Sequence, residues 1–392
     1  MPLQILSPDP AIHRLSVAQL VNMQWERLAA RLRDPHHDWP ASRIGVIEDR
    51  IVTLWAVFDL TIRIGVARVR SAGVDCVVTD PAYRRRGYMT MTAQAAMTAM
   101  PSNGYALSLL NGIPGFYERF GYVNVWPQRH YVVETVHLPA ERPPYALDEF
   151  APAHRDELAA LYNAENEDNA GTAVRPTYRT FKYPGLYSGY LWQDGDGKPL
   201  GYVVADHEPA NEKRTVFTCV DMAGEPEQIL RLTGLLARQK NYERVCFERL
   251  HPNSRLARHL RRRTCLVETR YAASGDFMAA VVDLSALLTQ LAPELSRRLA
   301  ASPLAGWSGE LKLSLANQTS VLSIGASRVS VRPSCVTPHE ARGDTAMARL
   351  IMGADSPEDL VETAEIKTSG DALALLHVLF PARQLQIASV DL

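Results

Sequence analysis

Residues 74–94 read VDCVVTDPAYRRRGYMTMTAQ, and they combine side chains able to grip an anion with a backbone able to approach one. An apolar run (Val74, Cys76, Val77, Val78) stops at Asp80-Pro81, and Arg84-Arg85-Arg86-Gly87 follows. Then Met89, Ala93, Ala96, Met97 and Met100 recur at helical spacing on one face. A strand therefore leads through a basic loop into the first turn of a helix. The free N–H groups and the positive dipole end of that turn favour a phosphate. Gly87 lets the backbone come close without a Cβ, and the arginines add charge. The competing reading is a solvated charge run, as a bare R-R-R-G usually is; the strand on one side and the helix on the other argue against it.

A second block lies downstream. Ala106–Leu110 is apolar and strand-like, and Gly115-Phe116-Tyr117-Glu118-Arg119-Phe120-Gly121-Tyr122 follows. Phe116 and Phe120 stand i, i+4 for packing, Gly121 suits a left-handed helix end, and Tyr117 falls on another face. Strand, Arg-x-x-Gly-x loop, helix, strand and F-Y-x-x-F-G-Y together resemble the GNAT acetyltransferase family. The resemblance implies that Arg84, Arg85, Arg86, Gly87, Tyr88 and Met89 hold the pyrophosphate of acetyl-CoA. It also implies that Val77, Val78 and Thr79 supply a backbone N–H for the thioester oxyanion, with Asn111 beside the cofactor. The family pattern usually ends in Gly or Ala, where this chain has Met89.

The elements that position these residues come from the whole chain. At 392 residues, two or three domains are expected. A hydrophobic content of 46%, a charged content of 22% and a net charge of −1 describe an ordinary globular chain. They imply neither a nucleic-acid partner nor an anionic membrane surface. No stretch is long and apolar enough to span a bilayer. MPLQILSPDPAIHRL lacks a basic region followed by an apolar one, so no signal peptide is expected and a cytoplasmic location is. Five scattered cysteines, none in C-x-x-C spacing, are expected to be reduced, with Cys76 a packed strand residue. Eleven histidines form no H-E-x-x-H or Cys/His cluster, so no metal is expected.

Three segments follow from the pattern. Residues 1–140 carry strands at Arg43–Ile47, Ile51–Phe58 and Thr61–Val69, then the Val74 strand, a helix crossover and Ala106–Leu110, with His130–Val136 closing the domain. Residues 145–285 repeat strands, helix and strand. They include a hairpin around Asp194-Gly195-Asp196-Gly197 and a helix over Glu225–Gln239. Acid stands before that helix where arginine stands before the first, so this domain is expected not to bind acetyl-CoA. Residues 286–392 read as a helix, three short strands and three helices, similar to the sterol-carrier-protein fold. The fold class is mixed α+β: two tandem GNAT-like domains and a small sterol-carrier-like domain.

That order resembles the Eis (enhanced intracellular survival) family of N-acetyltransferases. The resemblance implies acetylation of amines, those of aminoglycosides among them, and a homo-hexamer. It implies Tyr117 as general acid and the main-chain carboxylate of Leu392 as general base. A phenol of pKa about 10 stays protonated until a thiolate of pKa about 8.5 appears beside it. A carboxylate of pKa about 3.5 needs desolvation to serve an ammonium. The leading expectation is acetyl transfer from acetyl-CoA to a small polycationic amine. A protein lysine as acceptor, or a lipid-binding scaffold with idle GNAT domains, are the alternatives.

Overall fold

The computed structural model describes residues 2–23, 28–176, 187–206, 215–332, 335–388 and 391, with backbone only at 28–30. These fall into two compact units. One takes Met1–Trp126 and Ala272–Leu385, the other Pro127–Tyr271 and Gln386–Asp391. The class is mixed α+β, as expected.

The first unit holds a mixed sheet in the order Gln4–Leu6, Arg43–Ile47, Arg50–Ile64, Ala67–Thr79, Leu107–Gly112, Asp276–Val281, Val123–Asn124. Glu48 and Asp49 make the first hairpin with φ of 48° and 62°, the two left-handed residues that match a turn to the twist of its strands. Neighbours in this order pair antiparallel except Ala67–Thr79 with Leu107–Gly112, whose helical crossover makes them parallel. The crossover helix, Tyr88–Ser102, buries Ala93, Ala96 and Met100 against Trp55, Val57 and Val74. The opposite face is covered by Pro10–Asn22, capped by Asp9, through Val17, Leu20 and Val21 against Ile44, Leu54 and Phe58.

Two expectations change here. The Thr61–Val69 strand is instead a hairpin: Arg50–Ile64 runs on past Phe58, turns at Gly65, and Ala67 begins a strand that continues through Val74 to Thr79. Strand periodicity shows no break at such a turn, so length alone misplaced it. His130–Val136, expected to close the first sheet, is a Gln128–Glu134 strand hydrogen-bonded to Arg244–Phe247 and Leu266–Arg270 in the second unit. Its place beside Leu107–Gly112 is taken by Asp276–Val281.

The first unit continues through the helix Leu284–Ala300 into a five-stranded sheet, ordered Arg328–Arg332, Gln318–Gly325, Gly309–Leu315, His339–Gly343, Ile366–Ser369. The last two strands carry no alternation strong enough to read in sequence. Helices Ala346–Met352, Pro357–Glu362 and Ala372–Leu379 accompany it.

The second unit has the order Leu266–Arg270, Gln128–Glu134, Arg244–Phe247, Val216–Ala223, Pro199–Asp206, Tyr187–Gln193, Ala146–Glu149. The helices Arg155–Glu165 and Pro226–Gln239 pack into separate cores: Leu158 and Tyr162 meet Val204 and Val220, while Ile229 and Leu230 meet Val203 and Phe217.

Within the first unit, Glu294 ties the Gly65 turn to the helix Leu284–Ala300. Its buried carboxylate accepts from the Val66 N–H at 3.1 Å, from Arg297 at 2.8 Å and from Arg298 at 2.7 Å. Burial alone would raise its pKa. The hydrogen bonds from Arg297, Val66 and Arg298 outweigh burial and hold it at about 2. A depressed carboxyl stabilises above its unfolded pKa, and that contribution fades as pH falls toward the folded value. Glu294→Gln should therefore cost up to about 3 kcal/mol near neutral pH. The gap between variant and parent should close between about pH 4.5 and pH 2, as urea denaturation at several pH values would measure.

Candidate active site

Asp80 anchors the arginine loop. One carboxylate oxygen accepts the Ala82 N–H at 2.9 Å, the other pairs with Arg50 at 2.6 Å, and the side chain is buried. Pro81–Tyr83 makes one short 3-10 turn. The chain then passes through left-handed backbone at Arg85 (φ 61°) and at Gly87 (φ 78°) before the helix begins at Tyr88. Such turns aim successive N–H groups at one point and make an anion cradle.

Three features favour an anion there. No side chain caps the helix, and its first turn holds no acid. A Cβ built on Gly87 meets nothing within 4 Å, so the cradle is open. Arg84, Arg85 and Arg86 are exposed, and among the described residues none pairs with a carboxylate. Arg84 Nε donates to the Thr79 carbonyl at 3.4 Å and Arg86 to the Ala82 carbonyl at 3.2 Å, with Arg86 5.3 Å over the Tyr83 ring. The loop's positive charge is thus held in place and left uncompensated.

The corresponding place in the second unit is different. Pro226–Gln239 starts with Glu225, whose carboxylate accepts the Gln228 N–H at 3.0 Å and so occupies the helix start. Glu227 in the first turn holds Arg263 at 2.8 Å.

The second part of the first unit's site lies where two strands part. Ala67–Thr79 pairs with Leu107–Gly112 only through Ser71↔Leu107, Ala72↔Ser108 and Gly73↔Leu109. Its pairing with Arg50–Ile64 continues to Thr53↔Thr79. Among the described residues, Val74–Thr79 therefore has a strand neighbour on one side only. The register slips by one residue opposite Trp55, and Cys76 takes φ 51° to make the bulge. Cys76 itself is packed in the core.

Tyr117 sits on the helix-88 side of this parting, 8% exposed, with ring contacts to Trp55 (5.8 Å), Phe116 (4.9 Å) and Tyr122 (6.0 Å). Gly112 makes its room, since a Cβ there would lie 2.8 Å from the Tyr117 ring. Burial first, and then the Asp75 carboxylate, push the phenol up to about 12, so it is protonated at neutral pH. The fully buried indole N–H of Trp55 has no hydrogen-bond partner among the described residues.

The sequence-derived residues divide as follows. Val77 packs half-buried against the aromatic cluster, Val78 is buried on the other face, and Thr79 leads into the loop. Tyr88 and Met89 are half-buried in the first helical turn, and Asn111 is exposed near the end of its strand. Leu392 lies outside the described residues, as do Trp25 and Glu26, which are acceptor-side candidates by their position in the chain. Of two further acceptor-side candidates by chain position, Phe58 is buried in the core, and Asp59 borders a separate hollow of about 540 Å³ along Pro35, His36 and Trp39, where Arg70 holds it at 3.2 Å. Asp75, whose carboxylate acts on the Tyr117 phenol, and Arg31, which donates to Asp75 at 3.0 Å, are neighbours that sequence reading did not mark. The signal for Asp75 was a carboxylate inside an otherwise apolar strand; Arg31 gave none, being brought in by the tertiary fold.

Residues 18–124 match the family profile of an acetyltransferase (GNAT) domain. The chain carries a GNAT acetyltransferase domain. No curated protein sequence matches the chain. Solved structures do. A probable N-acyltransferase from Enterococcus faecalis superposes with a TM-score of 0.73 at 15% identity, over 99% of this chain and 100% of that one. A GCN5-related N-acetyltransferase from Anabaena variabilis gives 0.72 at 15% identity over 98% and 99%. Eis1 from Mycobacterium abscessus gives 0.65 at 14% identity over 99% of both chains. At these identities the likeness is one of fold, and it runs the length of the chain.

Gly87 tests the cradle directly. With open space around it, Gly87→Val carries only the cost of placing a β-branched residue in left-handed backbone, about 1–2 kcal/mol. Chemical denaturation should show that loss if the loop keeps its shape.

Proposed function

We propose that the chain is an acetyl-CoA-dependent N-acetyltransferase acting on a primary amine of a small polycationic acceptor, of polyamine or aminoglycoside type. One observation carries the reading: three arginines with no carboxylate partner among the described residues, and an uncapped helix start, stand at the end of the strand whose open stretch runs past Tyr117. A diphosphate at the loop would extend its pantetheine arm into the gap between the strands, bringing the thioester to Val77–Thr79.

The chain's own residues then divide the work. The loop and helix dipole bind the diphosphate and fix the thioester's position, which supplies catalysis through orientation. Backbone N–H groups of the one-sided strand hold the oxyanion in this reading. The amine nitrogen attacks the carbonyl carbon, the C–S bond breaks, and Tyr117 gives its phenolic proton to the leaving sulfur. The phenolate then recovers a proton from the new amide nitrogen. A raised phenol suits this role because the same low-polarity wall raises the thiol it protonates. Residues 286–392 are read as a sterol-carrier-like domain.

Calorimetry with acetyl-CoA, and thiol release against an amine library, test the reading together. Tyr117→Phe keeps the ring packing and loses the proton. It should leave acetyl-CoA affinity within about twofold while kcat falls by about 10²–10⁴. Absence of acetyl-CoA binding by the parent chain would overturn the proposal.

A further inference from the structure

We propose that the indole N–H of Trp55 is the hydrogen-bond donor to the Tyr117 phenolate that forms when this tyrosine protonates the departing thiolate. This rests on the acetyltransferase reading above and names what makes its acid usable.

Trp55 stands at the slip in the sheet. Its strand, Arg50–Ile64, pairs Leu54 with Val78 and Ala56 with Asp75, so Cys76 and Val77 together oppose Trp55. On its other edge Trp55 pairs with Arg43. The backbone is thus held from both sides, level with the stretch read above as the place of the thioester. The side chain is fully buried in one cluster with Tyr117, Val57, Val74 and Met100, and Val77 packs against that cluster. Edge-on ring contacts at 5.8 Å join the indole to Tyr117 and to Phe120.

The indole N–H does not belong in so apolar a setting. It is buried and has no hydrogen-bond partner among the described residues. A buried donor left unmade costs about 1–3 kcal/mol, and native folds carry few of them. An acceptor that exists only during turnover would recover that cost. Of the other rings that touch Tyr117, Phe116 has no polar side-chain atom. The Tyr122 hydroxyl is engaged with Ser108 at 2.6 Å and with the Met97 sulfur at 3.5 Å. Among these neighbours, Trp55 alone brings a donor that is not in use.

Tyr117 needs such a donor. Burial first, and then the Asp75 carboxylate, push its phenol up to about 12, which keeps the proton on the resting chain and makes the phenolate costly. In the transfer the electron pair of the C–S bond goes to sulfur, the Tyr117 proton follows it, and negative charge stays on the phenol oxygen. Trp55 Nε1–H donates to that oxygen and keeps its own proton. The new amide nitrogen then returns a proton to Tyr117. A bond made to the charged phenol and not to the neutral one lowers the barrier without tightening the resting complex. The two groups are not bonded in the free chain; catalytic hydrogen bonds commonly tighten only once substrates are in place. Trp55 acts only through Tyr117, so it is a positioning residue.

A double-mutant cycle tests this, with kcat measured for the parent, Trp55→Phe, Tyr117→Phe and the double variant on one amine that the parent acetylates. Trp55→Phe keeps an aromatic ring and removes the donor. It should lower kcat by about 10–100-fold with acetyl-CoA affinity unchanged, and it should cost nothing further once Tyr117 is Phe. Lost packing would lower kcat by the same factor in both backgrounds, and that result overturns the inference, as does an unchanged kcat in Trp55→Phe. Should Trp55→Phe fail to fold, the full chain labelled with ¹⁵N-tryptophan and carrying a fluorinated, more acidic tyrosine at position 117 decides. The Trp55 indole proton should move downfield as that phenol ionises, and a resonance that ignores the ionisation overturns the inference. A parent that transfers acetyl to no amine, or Tyr117→Phe with full kcat, overturns the reading beneath and this inference with it.

Discussion

Everything at the first unit's site follows from a parallel strand pair that stops early. Ala67–Thr79 and Leu107–Gly112 share three registered pairs and then separate, while the second strand keeps Asp276–Val281 on its far side and the first stays with Arg50–Ile64. Separation within one sheet leaves backbone groups facing a gap, which a compact fold tolerates only where a ligand, water or side chain can satisfy them. The bulge at Cys76 and the aromatic wall around Tyr117 are the local consequences. The arginine loop lies at the end of the same strand, so its position relative to the gap is set by strand geometry and not by a flexible linker.

What could be read from the sequence was what is local. The anion cradle needs only a strand, a glycine at positive φ and a helix start, all within 74–90, and each leaves its residue type in the chain. The Asp194–Gly197 hairpin and the Ser356-Pro357 helix start were legible for the same reason. Sheet membership was not. Asp276–Val281 joins Leu107–Gly112 across more than a hundred residues, and nothing in FMAAV says which edge it will complete. Gln128–Glu134 pairs with the strand 244–247 for equally nonlocal reasons. Arg31 escaped notice because its value lies in a tertiary contact with Asp75.

The second unit shows how the same order of elements can be put to another use. Val216–Ala223 also pairs in parallel with its neighbour, Arg244–Phe247, only to Cys219↔Phe247. Beyond that pair stands Asp221, beside a small cavity of about 40 Å³ that Tyr162, Val220 and Gln386 also line. Arg175, fully buried, reaches Asp221 at 2.6 Å and Asp391 at 2.8 Å, and lies 3.3 Å over Tyr162. The hydroxyls of Tyr202 and Tyr162 donate to the two carboxylates at 3.0 Å and 3.1 Å. Gln386 adds a backbone bond to Ala170 at 3.1 Å, so the segment Gln386–Asp391 is tied into this unit.

Two carboxylates with one guanidinium therefore occur at each parting, and their settings differ in the way that matters. Around Arg175 all three charges are nine-tenths or more buried, and two phenols complete the hydrogen bonding. Such a cluster is costly to desolvate and costly to break, which suits a fixed joint. Around Arg31 only the cation is buried, and the carboxylates reach outward beside an aromatic wall. A helix start sealed by Glu225 accompanies the first arrangement, and a helix start left open behind three arginines accompanies the second. The two helix starts therefore differ in the one respect that matters to an anion: Glu225 fills the second, and the first is open behind three arginines.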